Sequence, residues 1–200
     1  MTRTWLSVDV VALTEDEPVP RIVLIRRAGT PHRGATTLPG GLLDAEHGET
    51  VEQAARRIVQ QKAGARVTSG VAIVDVVSDP TRDERGHTVS IVVAARVPSG
   101  TPGTVAVCEI PDAMPFQHSE IAHAALIRIG ERLLADASTT YALLGPETTF
   151  VEAYSLLRAC TEITDTAARA RLDRSPLYVR TDRYRKAAGS GRPARVYHRA

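Results

Sequence analysis

Glycine, glutamate and arginine residues recur at fixed spacing in the stretch LPGGLLDAEHGETVEQAARRIVQQKAG. Gly40 and Gly41 predict a tight turn, and seven residues of an acidic loop separate Gly41 from Glu49. Seven more residues separate Glu49 from Arg57, and Gly64 ends the predicted helix. A loop carboxylate followed by a helix is an arrangement that can hold a divalent cation against a diphosphate. The spacing therefore predicts a phosphate-handling site at the start of a helix.

This stretch resembles the Nudix box, G-x5-E-x7-R-E-U-x-E-E-x-G-U, where U is an aliphatic residue. The loop after Gly41 is two residues longer than in the box, and Ile58, Gln61 and Lys62 occupy the three helical glutamate positions. An alkyl group, a neutral amide and an ammonium are poor partners for Mg²⁺, so only Glu49 remains of the usual set. The resemblance therefore implies a nucleotide-binding domain with no catalytic residues and no metal ligands, which is not an enzyme.

A second segment, SDPTRDERGHTVSIVVAA at residues 78–95, resembles a loop and strand of Nudix domains that handle ADP-ribose. Arginine can bind phosphate oxygens in a bidentate manner. For Asp83 and Arg85, a surface hairpin held by its own ion pairs is an equal alternative. The segment FQHSEI at residues 116–121 resembles a further element of the same Nudix domains, F-D-H-x-x-I. We expect its His118 to cap the following helix or to form a hydrogen bond at the helix start. The predicted effector-binding residues are Arg27, Gly40, Gly41, Glu49, Arg57, Arg82, Asp83 and Arg85.

The charge of the chain is unevenly distributed. The formal net charge is +2, but residues 165–200 hold ten Arg or Lys and three Asp residues, which gives +7 there and −5 in the remainder. A basic segment on an acidic body is typical of a polyanion-binding module, although a solvated charged face is an equally simple explanation. With 43% hydrophobic residues and no apolar run near the length of a membrane helix, we expect a soluble, cytoplasmic protein without a membrane partner.

Apolar periodicity predicts two domains. β-branched runs at 4–13, 21–27, 67–77 and 88–97 predict strands, and helical spacing predicts helices at 51–62 and 119–135. The fold class expected for residues 1–137 is α/β, a Nudix-type mixed β-sheet sandwiched by helices. Residues 138–147 are predicted to form a linker. Residues 148–200 are predicted to form a small winged helix-turn-helix domain, with helices at 149–160 and from the Thr164 N-cap to residue 174, followed by a hairpin.

The end of the chain, GRPARVYHR, resembles the end of the NrtR family, Nudix-related transcriptional regulators of NAD metabolism. In the second predicted helix, Ala168 and Leu172 share the inward face, which leaves the arginines for DNA. Arginines beside Pro193 can contact the DNA backbone or minor groove. The predicted DNA-binding residues are Thr164, Thr166, Arg169, Arg171, Arg174, Arg192, Pro193 and Arg195.

The resemblance implies a homodimeric repressor of NAD biosynthesis or salvage genes. It is expected to bind a palindromic double-stranded DNA operator, to respond to ADP-ribose or a related nucleotide, and to require no cofactor. Two alternatives remain open at this point. One is a Nudix hydrolase with carboxylates relocated to Glu46, Glu49 and Glu52 and a tail that binds nucleic-acid substrates. The other is a module that scaffolds other proteins.

Overall fold

The computed structural model describes residues 4–14, 19–186 and 192–200, and it has the expected mixed α/β architecture. Residues 15–18, between the first two predicted strands, and residues 187–191, within the predicted hairpin, lie outside the described residues. The strands are β1 (Trp5–Thr14), β2 (Arg21–Val23), β3 (Ile25–Arg26), β4 (Thr36–Thr37), β5 (Gly40–Leu42), β6 (Val71–Ser78), β7 (Thr88–Val97), β8 (Thr104–Ala106), β9 (Glu147–Thr149), β10 (Tyr178–Arg185) and β11 (Ala194–Arg199). The helices are α1 (Val51–Ala63), α2 (His118–Arg132), α3 (Ala137–Leu144), α4 (Phe150–Cys160) and α5 (Asp165–Arg174).

The N-terminal sheet has the order β6-β7-β1-β2-β8, and β5 also pairs with β1. Strands β1 and β7 are parallel, whereas the other pairs in this sheet are antiparallel. Because side chains alternate along a strand, Val8 and Val10 of β1 pack in the core on the α1 side. Val11 and Leu13 pack in the opposite core with α2. Both faces of the sheet are therefore covered, which confirms the predicted helix-sheet-helix sandwich.

Helix α1 begins and ends almost where its sequence predicts. The Thr50 side chain accepts a hydrogen bond from the Gln53 backbone N–H, and the Gln53 side chain accepts one from the Thr50 N–H, which forms a capping box. Gly64 ends the helix in the left-handed conformation with φ of 65°. The buried side chains of α1 include Ile58, which lies 3.3 Å from the position that a Cβ on Gly41 would take. The glycine turn therefore packs directly on the helix.

The C-terminal part has the predicted order of helix, turn, helix and hairpin. Thr149 caps α4, and Thr164 caps α5 by accepting a hydrogen bond from the Ala167 N–H at 3.2 Å. Strands β10 and β11 form the hairpin, and β9 joins it as a third strand in the order β10-β11-β9. Ala168 and Leu172 of α5 are buried, as predicted. This arrangement is a winged helix-turn-helix.

Residues 138–147, predicted as a linker, are largely helical, because α3 covers most of them. The Asp136 carboxylate accepts a hydrogen bond from the Thr139 N–H at 2.8 Å and thereby caps α3. Leu143 of α3 is buried in the same core as Ile129 of α2 and Leu172 of α5. Tertiary burial explains this helix, because its own sequence is short and rich in threonine. The two predicted domains therefore share one hydrophobic core.

Helix α2 runs from the N-terminal sheet to the C-terminal helices. Near its end, the Glu131 carbonyl accepts a hydrogen bond from Arg171 Nη2 at 2.6 Å, and the Leu134 carbonyl accepts one from Ser175 Oγ at 2.6 Å. One helix thus contacts both parts of the chain.

Among the residues that the structure describes, no helix is long and apolar enough to cross a membrane.

Candidate functional site

A cavity of about 450 Å³ opens beside the glycine turn, between the end of α1 and the start of α2. We call it the turn pocket, and its size is typical of a site for a small organic ligand. Six of the eight predicted effector residues line it, whereas Glu49 and Arg57 do not. The lining includes charged, glycine and aromatic residues: Asp9, Arg27, Gly40, Gly41, Lys62, Arg82, Asp83, Arg85, Phe116 and His118.

The floor of the turn pocket is a buried polar network. Asp9 comes from β1 and Ser90 from β7, and Ser90 Oγ donates a hydrogen bond to Asp9 Oδ2 at 2.6 Å. Arg82 donates to Ser90 Oγ and to the Phe116 carbonyl, the latter at 3.2 Å. Its guanidinium lies 4.0 Å from the Asp9 carboxylate, and only 2% of the Arg82 side chain is exposed. Arg82 therefore holds strands and loops together, and little of it is available to a ligand.

His118 is part of the same floor. The Leu38 N–H donates a hydrogen bond to His118 Nδ1 at 3.0 Å, and Nε2 lies 3.6 Å from Asp9 Oδ1. Burial is the main reason that the pKa of His118 lies below its usual value, although Asp9 partly opposes the effect. A neutral ring with its proton on Nε2 satisfies both neighbours. The expectation that His118 forms a hydrogen bond at the helix start is confirmed.

Backbone geometry at the start of α2 is strained. Phe116 and Gln117 have φ of 63° and 57°, in the left-handed region that most side chains avoid. The Gln117 amide donates to Asp79 at 2.8 Å, which helps to hold this conformation. Strain of this kind clusters at ligand sites, where the surrounding structure maintains it. Here it turns the Phe116 ring into the pocket.

Cations surround the Phe116 ring and the pocket opening. The guanidinium carbons of Arg27 and Arg85 lie 4.6 and 5.1 Å from the ring centre. Asp83 pairs with Arg85 at 2.7 Å, as the surface-hairpin alternative expects, but both residues also line the pocket. Lys62 reaches the opening from the last turn of α1. An aromatic face among three cations can bind a ligand that carries both a ring and a phosphate.

Glu49 and Arg57 stabilise the loop between the glycine turn and α1. Arg57 Nε and Nη2 donate to the two Glu49 carboxylate oxygens at 2.6 and 2.8 Å, and Nη2 also donates to the Leu42 carbonyl at 3.0 Å. The Asp44 N–H donates to Glu49 at 2.9 Å. These contacts occupy both side chains and place them outside the pocket lining. The geometry therefore does not support their predicted contact with an effector.

The Glu49→Gln variant should show a stability loss that depends on pH. The hydrogen bond from Arg57 lowers the pKa of Glu49 from 4.5 to about 2. The carboxylate therefore contributes its full stabilisation above pH 4.5, and this contribution disappears as the pH falls toward 2. We expect the variant to be less stable than the original protein by about 1–3 kcal/mol at pH 7. The difference should shrink progressively below pH 4.5 in urea unfolding curves.

Glu52→Gln is the matched control, because Glu52 pairs with Arg56 on an exposed part of the same helix. Its effect should stay below about 1 kcal/mol at every pH. A Glu49→Gln effect of the same size at pH 7 and at pH 3 would contradict the structural role of this pair.

The helical positions at the pocket do not fit a magnesium site. Ile58 is fully buried, and Lys62 donates a hydrogen bond to the Gly40 carbonyl beside it. The alternative set of Glu46, Glu49 and Glu52 is not assembled either, because Glu49 and Glu52 face different arginines. Within residues 4–14, 19–186 and 192–200, no three His, Cys, Asp or Glu side chains form a group that could hold a metal ion.

The predicted DNA-binding residues of α5 differ in their availability. Arg174 is exposed and donates to the Ala170 carbonyl of its own helix at 3.0 Å, and Thr166 is exposed as well. Arg169 remains half exposed and lies over the Phe150 ring at 3.8 Å. Arg171 is directed toward α2 by its bond to the Glu131 carbonyl, and burial lowers its pKa. Arg174 and Arg169 are thus better placed to meet DNA than Arg171.

The other predicted DNA-binding residues, Arg192, Pro193 and Arg195, lie just before β11 or within it. Arg195 donates to Asp182 at 3.1 Å and to the Tyr184 hydroxyl at 2.7 Å, which braces β10 against β11. Arg192 and Pro193 are exposed just before β11. Contact of these residues with DNA stays a prediction.

Several pocket residues were missed by sequence reasoning. Asp9 interrupts an apolar strand, and a buried acid there is a signal that it has partners. Ser90 is brought to it by the parallel pairing of β1 with β7. Lys62 occupies a position of a lost metal ligand, but its place five residues beyond Arg57, in a helix that ends at the pocket, also makes it a candidate cation.

The sheet, the glycine turn and the capped helix after it define a Nudix domain. The NUDIX domain family model matches residues 3–136, and the chain belongs to this family. An ADP-ribose pyrophosphatase of Methanocaldococcus jannaschii is 39% identical over 80 residues, which are 40% of this chain. The chain spans 46% of the length of that relative.

Solved structures match the chain beyond the Nudix domain. The crystal structure of Shewanella oneidensis NrtR complexed with a 27mer DNA has a TM-score of 0.72 at 22% identity, covering 98% of this chain and 93% of that one. The NUDIX domain of the same protein complexed with ADP ribose has a TM-score of 0.52 at 22% identity, covering 62% of this chain and 88% of that one. The first match shows that 98% of the chain shares the fold of S. oneidensis NrtR, the Nudix sandwich followed by the winged helix.

Proposed function

We propose that the protein is a DNA-binding transcriptional repressor whose Nudix domain binds ADP-ribose without hydrolysing it. The observation that carries the proposal is the turn pocket, in which an aromatic ring and cations are kept while the helical metal ligands are replaced. A site of this kind can hold a nucleoside diphosphate that stays intact. The complexes of S. oneidensis NrtR with DNA and with ADP ribose support the same pair of ligands here.

In this proposal, residues 1–137 form the domain that binds the nucleotide, and residues 148–200 form the domain that binds DNA. Residues 138–147 link the two domains. Arg27 and Arg85 bind the diphosphate, and Phe116 packs against an apolar part of the nucleotide. A homodimer would present two copies of α5 to the two halves of a palindromic operator. The regulated genes would belong to NAD biosynthesis or salvage, and the protein would act in the cytoplasm without a cofactor.

Selection of genomic DNA fragments bound by the protein, with and without ADP-ribose, tests the whole proposal. We expect a small set of fragments that share a palindrome and that ADP-ribose releases. Fragments without a common sequence, or a set that ADP-ribose leaves unchanged, would contradict a nucleotide-controlled repressor.

Substitution of Arg174 by alanine tests the placement of α5 on DNA. If Arg174 contacts a phosphate, Arg174→Ala should reduce the slope of log affinity against log salt by about one. Fluorescence anisotropy with a duplex at several salt concentrations measures this slope. Arg66→Ala is the control, because Arg66 is exposed in the Nudix domain. Equal slopes for the original protein and both variants would remove Arg174 from the DNA interface.

A Nudix hydrolase is the second candidate function. The 39% identity with an ADP-ribose pyrophosphatase over 80 residues favours it. The engagement of Glu49 with Arg57 and of Glu52 with Arg56 argues against it, because these carboxylates do not converge on one point. An assay for hydrolysis of ADP-ribose in the presence of Mg²⁺ separates the two functions.

A further inference from the structure

Lys62 lies in the last turn of α1, at a position where the Nudix box has glutamate. Its ammonium donates a hydrogen bond to the Gly40 carbonyl in the glycine turn and lines the pocket beside Gly41. The side chain remains open to solvent, so a ligand can reach it. An ammonium with three N–H groups that uses one for a backbone carbonyl can still donate to an anion.

The charges that face Lys62 are mostly positive. Partial burial is the main reason that the pKa of Lys62 is lowered, Arg27 lowers it further, and Arg57 and Arg85 contribute less. Asp9 is the negative group that opposes them, and its carboxylate already accepts from Ser90. Arg57 and Arg85 already have carboxylate partners, Glu49 and Asp83. Among the described residues, no carboxylate lies within ion-pair distance of Lys62 or Arg27, so a bound anion would relieve the repulsion between them. The exposed Lys62 ammonium and the cations around it therefore favour binding of an anion at the pocket opening.

We propose that the Lys62 ammonium replaces the divalent cation of a Nudix site, so that the pocket binds a nucleoside diphosphate without metal. This inference rests on the proposed nucleotide-sensing function and adds the means of binding. A carboxylate at this position would need a metal ion to neutralise itself and the diphosphate. A lysine binds the diphosphate directly, and because it carries no metal it does not activate water.

The test uses the full-length protein, calorimetry with ADP-ribose, and buffers that contain either EDTA or Mg²⁺. We expect the Kd of the original protein to differ less than about twofold between the two buffers. Lys62→Met should weaken binding by about 10- to 100-fold, the size expected for one charged hydrogen bond. The chain has only two lysines, so Lys186→Met is the matched control and should bind as the original protein does.

A charge-reversing variant gives a sharper result. Lys62→Glu should bind ADP-ribose poorly in EDTA and regain part of its affinity when Mg²⁺ is added. Thermal unfolding of each variant shows whether it has folded. If Lys62→Met does not fold, Lys62→Arg should fold and keep metal-independent binding, since it keeps the charge.

Reductive methylation gives a readout that a purely structural lysine would not change. ADP-ribose in EDTA should slow methylation of Lys62 and leave that of Lys186 unaltered, as followed by mass spectrometry. Binding that requires Mg²⁺, or an unchanged Kd for Lys62→Met, would overturn the role of Lys62 while leaving nucleotide sensing intact. If ADP-ribose does not bind in either buffer but pyrophosphate still protects Lys62 from methylation, Lys62 belongs to an anion site and the proposed effector is wrong. If neither ADP-ribose nor pyrophosphate binds or protects Lys62, both the anion site at Lys62 and the nucleotide-sensing function are wrong.

Discussion

Protein incubated with ADP-ribose and Mg²⁺ should leave the nucleotide intact. Typical enzymes turn over at about 10 s⁻¹. Loss of a positioned general base removes about 10²–10⁴-fold in rate, and loss of the metal removes more. We therefore expect any release of AMP to be at least about 10³-fold slower than that of an active Nudix hydrolase. Phosphorus NMR of the reaction mixture, with such a hydrolase as the positive control, measures it.

The double variant Gln61→Glu, Lys62→Glu should remain inactive as well. It restores two acids, but the third helical position is Ile58, which is fully buried against the glycine turn. A glutamate there would be desolvated at high cost. Mg²⁺-dependent release of AMP at ordinary rates by the original protein, abolished by Glu49→Gln, would instead establish the hydrolase.

Arg82→Ala should cause the largest stability loss. The substitution leaves Asp9 without its nearby cation, and it removes the hydrogen bonds that Arg82 donates to Ser90 Oγ and to the Phe116 carbonyl. Breaking a buried ion pair by removing one partner costs about 3–5 kcal/mol. This is a large part of the stability of a typical domain, about 5–15 kcal/mol.

Urea unfolding followed by circular dichroism measures the loss. Arg128→Ala is the comparison, because Arg128 forms its ion pair with Asp75 at the surface, with a side chain that is 45% exposed. Its loss should be about 1 kcal/mol or less. Similar losses for the two variants would mean that the buried network does not stabilise the fold.

Local signals predicted much of the fold. Thr50 and Gly64 bound α1, and Thr164 caps α5, because each forms contacts within a few residues along the chain. Helix α3 was missed, since its stability comes from burial of side chains such as Leu143 against distant helices. Its N-cap, Asp136, was the local signal that could have indicated it.

The candidate site was predictable in its residues but less so in their roles. The two motifs contain Gly40, Arg82 and Arg85, which line one pocket in the structure. They do not distinguish Arg82, which is buried as a support, from Arg85, which is exposed at the opening. That difference depends on the pairing of β1 with β7, which brings Asp9 and Ser90 beneath Arg82. Burial is set by strands far apart in the chain, so spacing alone cannot give it.

Helix α2 has a mechanical consequence for the chain. His118 at its first turn lies in the pocket floor, and the Glu131 carbonyl near its end holds Arg171 of α5. At 1.5 Å per residue these two points are about 20 Å apart, so α2 can act as a stiff lever. A tilt of about 5° at the pocket end would displace the far end by about 2 Å over that length, enough to break the bond to Arg171. A small tilt of α2 around a bound ligand would thus release Arg171 from the Glu131 carbonyl and allow its guanidinium to contact other groups.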